Sequence, residues 1–347
     1  MQLIISATLA GFATVIAIML LKPLAFRVNL VDLPGGRKSH VGKIPLVGGI
    51  GMFVGFCFAA LLTPMPLAPY RALFAGSALM VLVGVLDDFH EMSARVKFIL
   101  QIIAAMIMAK AGGVILFDLG NLLGTGAVHL SFLVACVVTV IATLGVMNAV
   151  NMTDGSDGLA ASVSVIELSL LSYLAYQQGL YSHVLLLSVL ISTLLGYLVF
   201  NFPFSFRKKA AAFMGDAGSL FIGFMLAWFL ISLSQAPFQV AHPVVFLWIM
   251  ALPLFDATAS IVRRLLKGGS PFRPDAQHLH HLLKHKNCSS LGVVLIIGTS
   301  SFCMGALGIF LGRLGMPQCS MFELFIVCFV VYTATVDIVW RNVRDKK

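Results

Sequence analysis

Long apolar runs recur along this chain, and they limit its fold more than any other feature. A run of about 20 mostly apolar residues is long enough to cross a bilayer as a helix. Eleven such runs can be picked out, centred near Ala13, Phe53, Leu79, Ile103, Thr139, Leu168, Ser188, Gly223, Trp248, Ser301 and Val330. The weakest are the glycine-rich run at Phe53 and the run at Ile103, which starts among Arg95 and Lys97. Hydrocarbon offers no partner to an unpaired backbone N–H or C=O, so helices are the expected spanning form. The expectation is an all-α, polytopic integral membrane bundle of eleven transmembrane helices. Charged residues make up only 11% of the 347, whereas a soluble domain carries about a quarter. No linker or low-complexity tract divides the chain, so residues 1–347 read as a single membrane-embedded domain.

The basic residues orient the bundle. Of the 23 Lys and Arg, only Arg71, Lys110 and Arg313 fall in one set of connections; all the others fall in the opposite set or in the C-terminal tail. Basic residues favour cytoplasmic loops, which puts the N-terminus outside and the C-terminus in the cytoplasm. The first basic residue, Lys22, follows the first apolar run, which therefore reads as a membrane helix and not as a cleaved signal. The net charge of +9 then reports orientation and contact with anionic membrane lipids, with no nucleic-acid partner expected. The six cysteines are scattered without a CxxC pair and read as small buried apolar residues.

The residues able to do chemistry share the cytoplasmic side. Asp87 and Asp88 end an apolar helix in GVLDDFHEM, where two acids oppose the helix dipole and call for a compensating cation, either a metal or the nearby Arg95 and Lys97. Adjacent carboxylates are also hard-cation ligands. The stretch NAVNMTDGSDGLA, with Asn151, Asp154, Gly155, Asp157 and Gly158, holds more turn formers than a tight turn needs. The helix start that follows suits an anion or a nucleotide edge. In FMGDAGS, Asp216 lies between Gly215 and Gly218; it reads either as a helix cap or as a ligand approached closely by backbone. The stretch RRLLKGGSPFRPDAQHLHHLLKHK brings Arg263, Arg264 and Arg273 together with His278, His280 and His281. Three histidines within four positions suggest zinc, but the cationic surroundings favour an anion site. The loop RKSHVGKIPLVGG, with Arg37, Lys38, His40 and Lys43, serves either lipid-surface contact or phosphate contact.

Taken in order, RKSHVGKIPLVGGI, GVLDD, NAVNMTDGSDGL, FMGDAGS and RRLLKGGSPFRPDAQHLHH resemble the bacterial polyprenyl-phosphate N-acetylhexosamine-1-phosphate transferases. The stretch from SPF to HLHH is similar to the undecaprenyl-phosphate N-acetylglucosamine branch, the WecA type. The chain has KIPLVGG where the MurNAc-pentapeptide branch carries GTPTMGG. The resemblance implies an enzyme of the cytoplasmic (inner) membrane with its active site facing the cytoplasm. It would transfer N-acetylglucosamine-1-phosphate from UDP-GlcNAc to undecaprenyl phosphate, releasing UMP, as the first membrane step toward a surface polysaccharide such as O-antigen. Implied with it are Mg²⁺, which Mn²⁺ can replace, bound by Asp216 and Asp88, with Asp87 lining the same site. Asn151, Asp154, Gly155 and Asp157 would form the nucleotide side. His278, His280, His281, Arg263, Arg264 and Arg273 would hold pyrophosphate and sugar. Another UDP-N-acetylhexosamine donor and a homodimer are both compatible with this reading.

A secondary transporter is the rival of a different class. It would carry polar groups at the bilayer midplane. The acids inside apolar runs here are Glu167, Asp256, Glu323 and Asp337, and they are expected to stand apart from the motif loops.

Overall fold

The computed structural model describes residues 1–33, 42–204, 210–268 and 277–344. Arg37, Lys38, His40 and Arg273 lie outside the described residues. The chain opens with α1 (Gln2–Arg27), followed by a two-stranded antiparallel pair, β1 (Val31–Asp32) and β2 (Ile44–Pro45). Then come α2 (Gly48–Leu61), α3 (Arg71–His90), α4 (Ala94–Gly112), α5 (Phe132–Thr153), α6 (Leu159–Gln177), α7 (Tyr181–Asn201) and α8 (Gly215–Ser234). The remaining helices are α9 (Pro243–Ile249), α10 (Ala251–Leu266), α11 (Leu279–His285), α12 (Ser290–Arg313) and α13 (Gln318–Arg344).

Every expected span centre falls in a helix, but the helices are not equivalent. Among the described residues, eight helices are long and apolar enough to cross a membrane, and α9 with α10 make a ninth if the bent pair counts as one span. The two elements outside that set are the weakest runs of the sequence. The α2 helix has only 14 residues, and α4 carries Arg95, Lys97 and Lys110. The bend between α9 and α10 is 78°. Pro253 explains it: it has no N–H to offer the carbonyl of Ile249, and its ring crowds that carbonyl, so the helix breaks just before it.

The centre of the bundle is α8, buried along its whole length from Ala217 to Ser234. Helices α2 and α3 reach its first turn at backbone distance. A side chain at Gly49 or Gly84 would collide with the backbone of Ala217 and Gly218. At the other extreme, α1 and α13 expose Ile4, Phe12, Leu20, Val327, Val330 and Val331. Large exposed apolar side chains of this kind suit lipid as solvent. Serines start two helices in the expected way: Ser93 Oγ accepts from the Val96 N–H at 3.4 Å, and Ser289 Oγ from the Gly292 N–H at 3.1 Å.

The order of the helices brings the reactive residues to one end of the bundle. Asp87 and Asp88 close α3, Asn151 lies in the last turn of α5, Asp216 opens α8, and Arg263 lies near the end of α10. The loop between α5 and α6 and the helix α11 complete that end.

Candidate functional site

The acidic half is built around the start of α8. Gly215 adopts φ +66°, a conformation that favours glycine, and a Cβ there would strike the Asp88 carboxylate. That carboxylate accepts from the Asp216 N–H at 2.9 Å and from the Ala217 N–H at 3.3 Å. Asp88 thus satisfies the otherwise orphaned amides at the α8 start and meets the positive end of its dipole. It holds α3 to α8 and sets the direction of Asp216.

Asp87 and Asp216 share one cation. The Lys97 ammonium, from the first turn of α4, donates to Asp87 Oδ2 at 2.8 Å and also contacts Asp216 Oδ2 closely. The other oxygen of Asp87 accepts from the Met92 N–H at 2.8 Å, which fixes the turn between α3 and α4. Asp216 Oδ1 accepts from Asn151 Nδ2 at 2.7 Å, and the same amide nitrogen lies 2.8 Å from Ser219 Oγ. Two acids at a helix end called for a cation, and in the structure Lys97 is that cation. The metal pair implied by the resemblance was Asp216 with Asp88. In the structure Asp216 is joined to Asp87 across Lys97, while the Asp88 carboxylate accepts from the amides at the α8 start.

Asp154 stands just beyond α5, outside the spans. Burial, together with the negative charges of Asp216 and Asp157, pushes its carboxyl up to about 7. Gly158 follows with φ +75°, and its N–H donates to Asn201 Oδ1 at 2.6 Å. Asn201 Nδ2 in turn donates to the Ala212 carbonyl at 3.0 Å, tying this loop to the segment that leads into Asp216. Lys43 is exposed ahead of β2, and the Phe213 N–H donates to the Pro45 carbonyl at 3.0 Å, so β2 abuts the same segment.

The histidine half sits beside it. His278 Nδ1 lies 2.8 Å from Asp256 Oδ2, while Asp256 Oδ1 accepts from the Leu279 N–H at 3.0 Å and from the Tyr332 hydroxyl at 2.7 Å. The rings of His278 and His280 are stacked at 5.6 Å, and those of His280 and His281 are 4.1 Å apart. Burial, reinforced by the neighbouring histidines, drives His280 down to about 3. Its imidazole is therefore held neutral, and the positive charge of this region comes from the basic residues around it. Arg263 is buried and donates to the Gln277 carbonyl at 3.0 Å and to Asp337 at 3.4 Å. Arg264 lies next to it in the last turn of α10.

Gly155 joins the halves. A Cβ on Gly155 would collide with the His280 imidazole, and Lys284 Nζ donates to the Gly155 carbonyl at 3.1 Å. Burial lowers the Lys284 ammonium despite the opposing pull of Asp157.

Several functional residues were missed in the sequence. Lys97 was expected, with Arg95, only as a counter-charge to Asp87 and Asp88, and its contact with Asp216 was not foreseen. Asp256 and Asp337 were expected to stand apart from the motif loops, yet Asp256 binds His278 and Leu279 of the histidine loop and Asp337 pairs with Arg263. An acid inside an apolar run is itself a functional signal, and it marked both. Asn201 and Tyr332 carried no signal.

Among the described residues, no group of three His, Cys, Asp or Glu side chains is arranged to hold a metal ion. The groups around Lys97 are the carboxylate oxygens of Asp87 and Asp216, however, and they already hold a cationic group. Such a set fits Mg²⁺, which takes one or two protein carboxylates and completes its shell with water and phosphate oxygens.

Residues 70–234 match the glycosyl transferase family 4 model. The chain is 36% identical over 324 residues to the undecaprenyl-phosphate alpha-N-acetylglucosaminyl 1-phosphate transferase of Yersinia pestis, covering 93% of this chain and 88% of that one. It is 37% identical over 337 residues to the protein of the same name from Haemophilus influenzae, covering 97% and 94%. To the one from Escherichia coli K12 it is 32% identical over 333 residues, covering 95% and 90%.

Proposed function

The chain belongs to glycosyl transferase family 4, alongside the undecaprenyl-phosphate alpha-N-acetylglucosaminyl 1-phosphate transferases, and from that premise we propose that it transfers N-acetylglucosamine-1-phosphate from UDP-GlcNAc to undecaprenyl phosphate. The products are undecaprenyl-pyrophosphoryl-N-acetylglucosamine and UMP. The single observation that carries this reading is the junction at Gly155, where the acidic half and the histidine half meet. Joining a nucleotide-sugar pyrophosphate to a second phosphate requires both halves at one place.

Two anionic substrates repel, so their charge must be neutralised at the reacting phosphorus. Asp216 and Asp87 would hold Mg²⁺, which supplies charge stabilisation to the phosphate oxygens when bound. Lys97 and Asn151 keep the Asp216 carboxylate oriented. The acceptor is a phosphate monoester with a second pKa near 6, so it is largely ionised at neutral pH. It needs no strong base, which favours direct attack on the phosphorus nearest the sugar over a covalent aspartyl-phosphate. Positioning and charge stabilisation then supply most of the rate. Asn151, Asp154, Gly155 and Asp157 face the nucleotide, and the histidine loop faces the sugar and pyrophosphate. An apolar cavity of about 130 Å³ between α5, α8, α9 and α10, lined in part by Ala142, Val146, Phe246, Met250 and Leu254, suits part of an isoprenoid chain.

In this reading all eleven helical segments cross the inner membrane, α2 and α4 included, with the N-terminus outside and the site in the cytoplasm. The product feeds a surface polysaccharide such as O-antigen. The test is UMP release from UDP-GlcNAc by the purified protein in detergent with Mg²⁺. Release that requires undecaprenyl phosphate is expected; no release with it, or equal release without it, would sink the proposal.

A further inference from the structure

The last helix is mostly lipid-facing, yet its inner end carries a set of polar contacts. Val327, Val330, Val331 and Ile338 are exposed. Between them, Tyr332 donates its hydroxyl to Asp256 Oδ1 at 2.7 Å. One turn further, Asp337 accepts from Arg263 at 3.4 Å, and Arg263 also donates to the carbonyl of Gln277, the residue before His278. Val336 and Trp340 pack with Leu282 of α11, and the His285 ring meets the Trp340 ring edge-on at 6.0 Å. A helix needed only as a lipid-facing wall would have no use for an aspartate and a tyrosine hydroxyl aimed inward.

We propose that α13 positions the histidine loop, with Tyr332 as a positioning residue that acts through Asp256 to hold His278 in one tautomer. Two donors, the Tyr332 hydroxyl and the Leu279 N–H, converge on Asp256 Oδ1 and fix the plane of that carboxylate. Oδ2 is left facing His278 Nδ1 at 2.8 Å. A carboxylate only accepts, so Nδ1 carries the proton and donates it, and Nε2 is left as the acceptor nitrogen of the ring. An outer partner that fixes a ring's tautomer in this way is a recurring device at histidine sites. Without the Tyr332 hydroxyl, the carboxylate can turn and both tautomers become accessible. The ring of Tyr332 would keep its place beside Phe255, 5.9 Å away, so packing survives. The role in turnover rests on the transferase reading above; the tautomer does not.

The experiment compares wild type with Tyr332→Phe, using Tyr173→Phe as the control. Tyr173 lies under Arg313, 5.0 Å away, at the opposite end of the bundle. The ¹⁵N resonances of His278 are recorded in detergent, alongside kcat and KM for UDP-GlcNAc. Tyr332→Phe is expected to move the His278 Nδ1 and Nε2 resonances toward a tautomer average. It should lower kcat on the order of tenfold with an unchanged melting temperature, and Tyr173→Phe should change neither readout. His278 resonances unchanged in Tyr332→Phe would overturn the proposal, as would a kcat loss matched by an equal loss of folded protein. A wild type that releases no UMP would fail the transferase reading alone, because the resonances still report the tautomer.

Discussion

Asp216 and His278 lie at the same end of one bundle, but they are held in place by different parts of it. Asp216 opens the most buried helix, and residues from α3, α4 and α5 hold it: Asp88 on its amide, Lys97 and Asn151 on its carboxylate. His278 is held at the rim, by Asp256 of α10 and, through it, by Tyr332 of the lipid-facing α13. The acidic half is tied together by hydrogen bonds from three helices and one shared ammonium. The histidine half hangs on a short helix and a chain of three hydrogen bonds. The difference suggests a division of labour, in which the interior organises phosphate charge and the rim adapts to the sugar and its pyrophosphate.

The sharpest way to break this contrast is to remove one polar side chain's function from each half. Asp216→Asn preserves shape and should lower kcat by a factor on the order of 10² or more, the loss expected when charge stabilisation of a phosphoryl transfer disappears. His281→Ala should cost about tenfold, as for a group that assists binding and orientation. UMP release by folded, detergent-solubilised variants measures both. Equal losses, or a larger loss at His281, would reverse the assignment.

The junction offers a second, smaller effect. Gly155→Ala places a methyl group against the His280 ring, which must shift. A fall of about tenfold in kcat/KM is expected, with Asp216-dependent chemistry otherwise intact. Wild-type kinetics for this variant would mean that the halves act independently.

The smallest effect concerns stability and pH, and here the halves have opposite signs. His280 titrates at about 3 when folded, against 6.5 as its ordinary value. Between those values the unfolded chain binds the extra proton, so the stability linked to His280 is full above pH 6.5 and lost as pH falls. Asp154 is raised from 3.8 to about 7. In that window the folded chain binds the extra proton, so the stability linked to Asp154 is full below 3.8 and lost as pH rises. Each slope is about 1.4 kcal/mol per pH unit. Relative to wild type, between pH 4 and 6.5, His280→Asn should tilt unfolding free energy downward with pH and Asp154→Asn upward. Unfolding curves at several pH values measure the tilt. Tilts of the same sign would contradict the assigned environments.

The acidic half was more legible in the sequence than the histidine half, for a physical reason. Motifs such as GVLDD, NAVNMTDGSDGL and FMGDAGS concentrate acids and glycines beside apolar runs, so burial cost and turn chemistry mark them locally. What binds them together is not local: Lys97 and Asp216 are 119 positions apart, and each looks ordinary alone. The three histidines were visible as a group, but their charge state was not. His280 is neutral because of burial against its neighbours and Gly155, and only the folded packing creates that. Asp256 could be seen as an acid in an apolar run, whereas its partner Tyr332, 76 positions away, looks like any aromatic residue in a membrane helix. The span count shows the same limit. The short α2 and the basic start of α4 were weak as apolar runs, and they remain outside the eight helices that meet the length and hydropathy needed to cross.

The central claim is that this site moves a sugar together with its phosphate, and not the sugar alone. Incubating the protein with undecaprenyl phosphate, Mg²⁺ and UDP-GlcNAc radiolabelled in the phosphate next to the sugar tests it most directly. The account predicts that the label passes to the lipid in step with N-acetylglucosamine, leaving unlabelled UMP. Label recovered in UDP, with N-acetylglucosamine alone on the lipid, would contradict it.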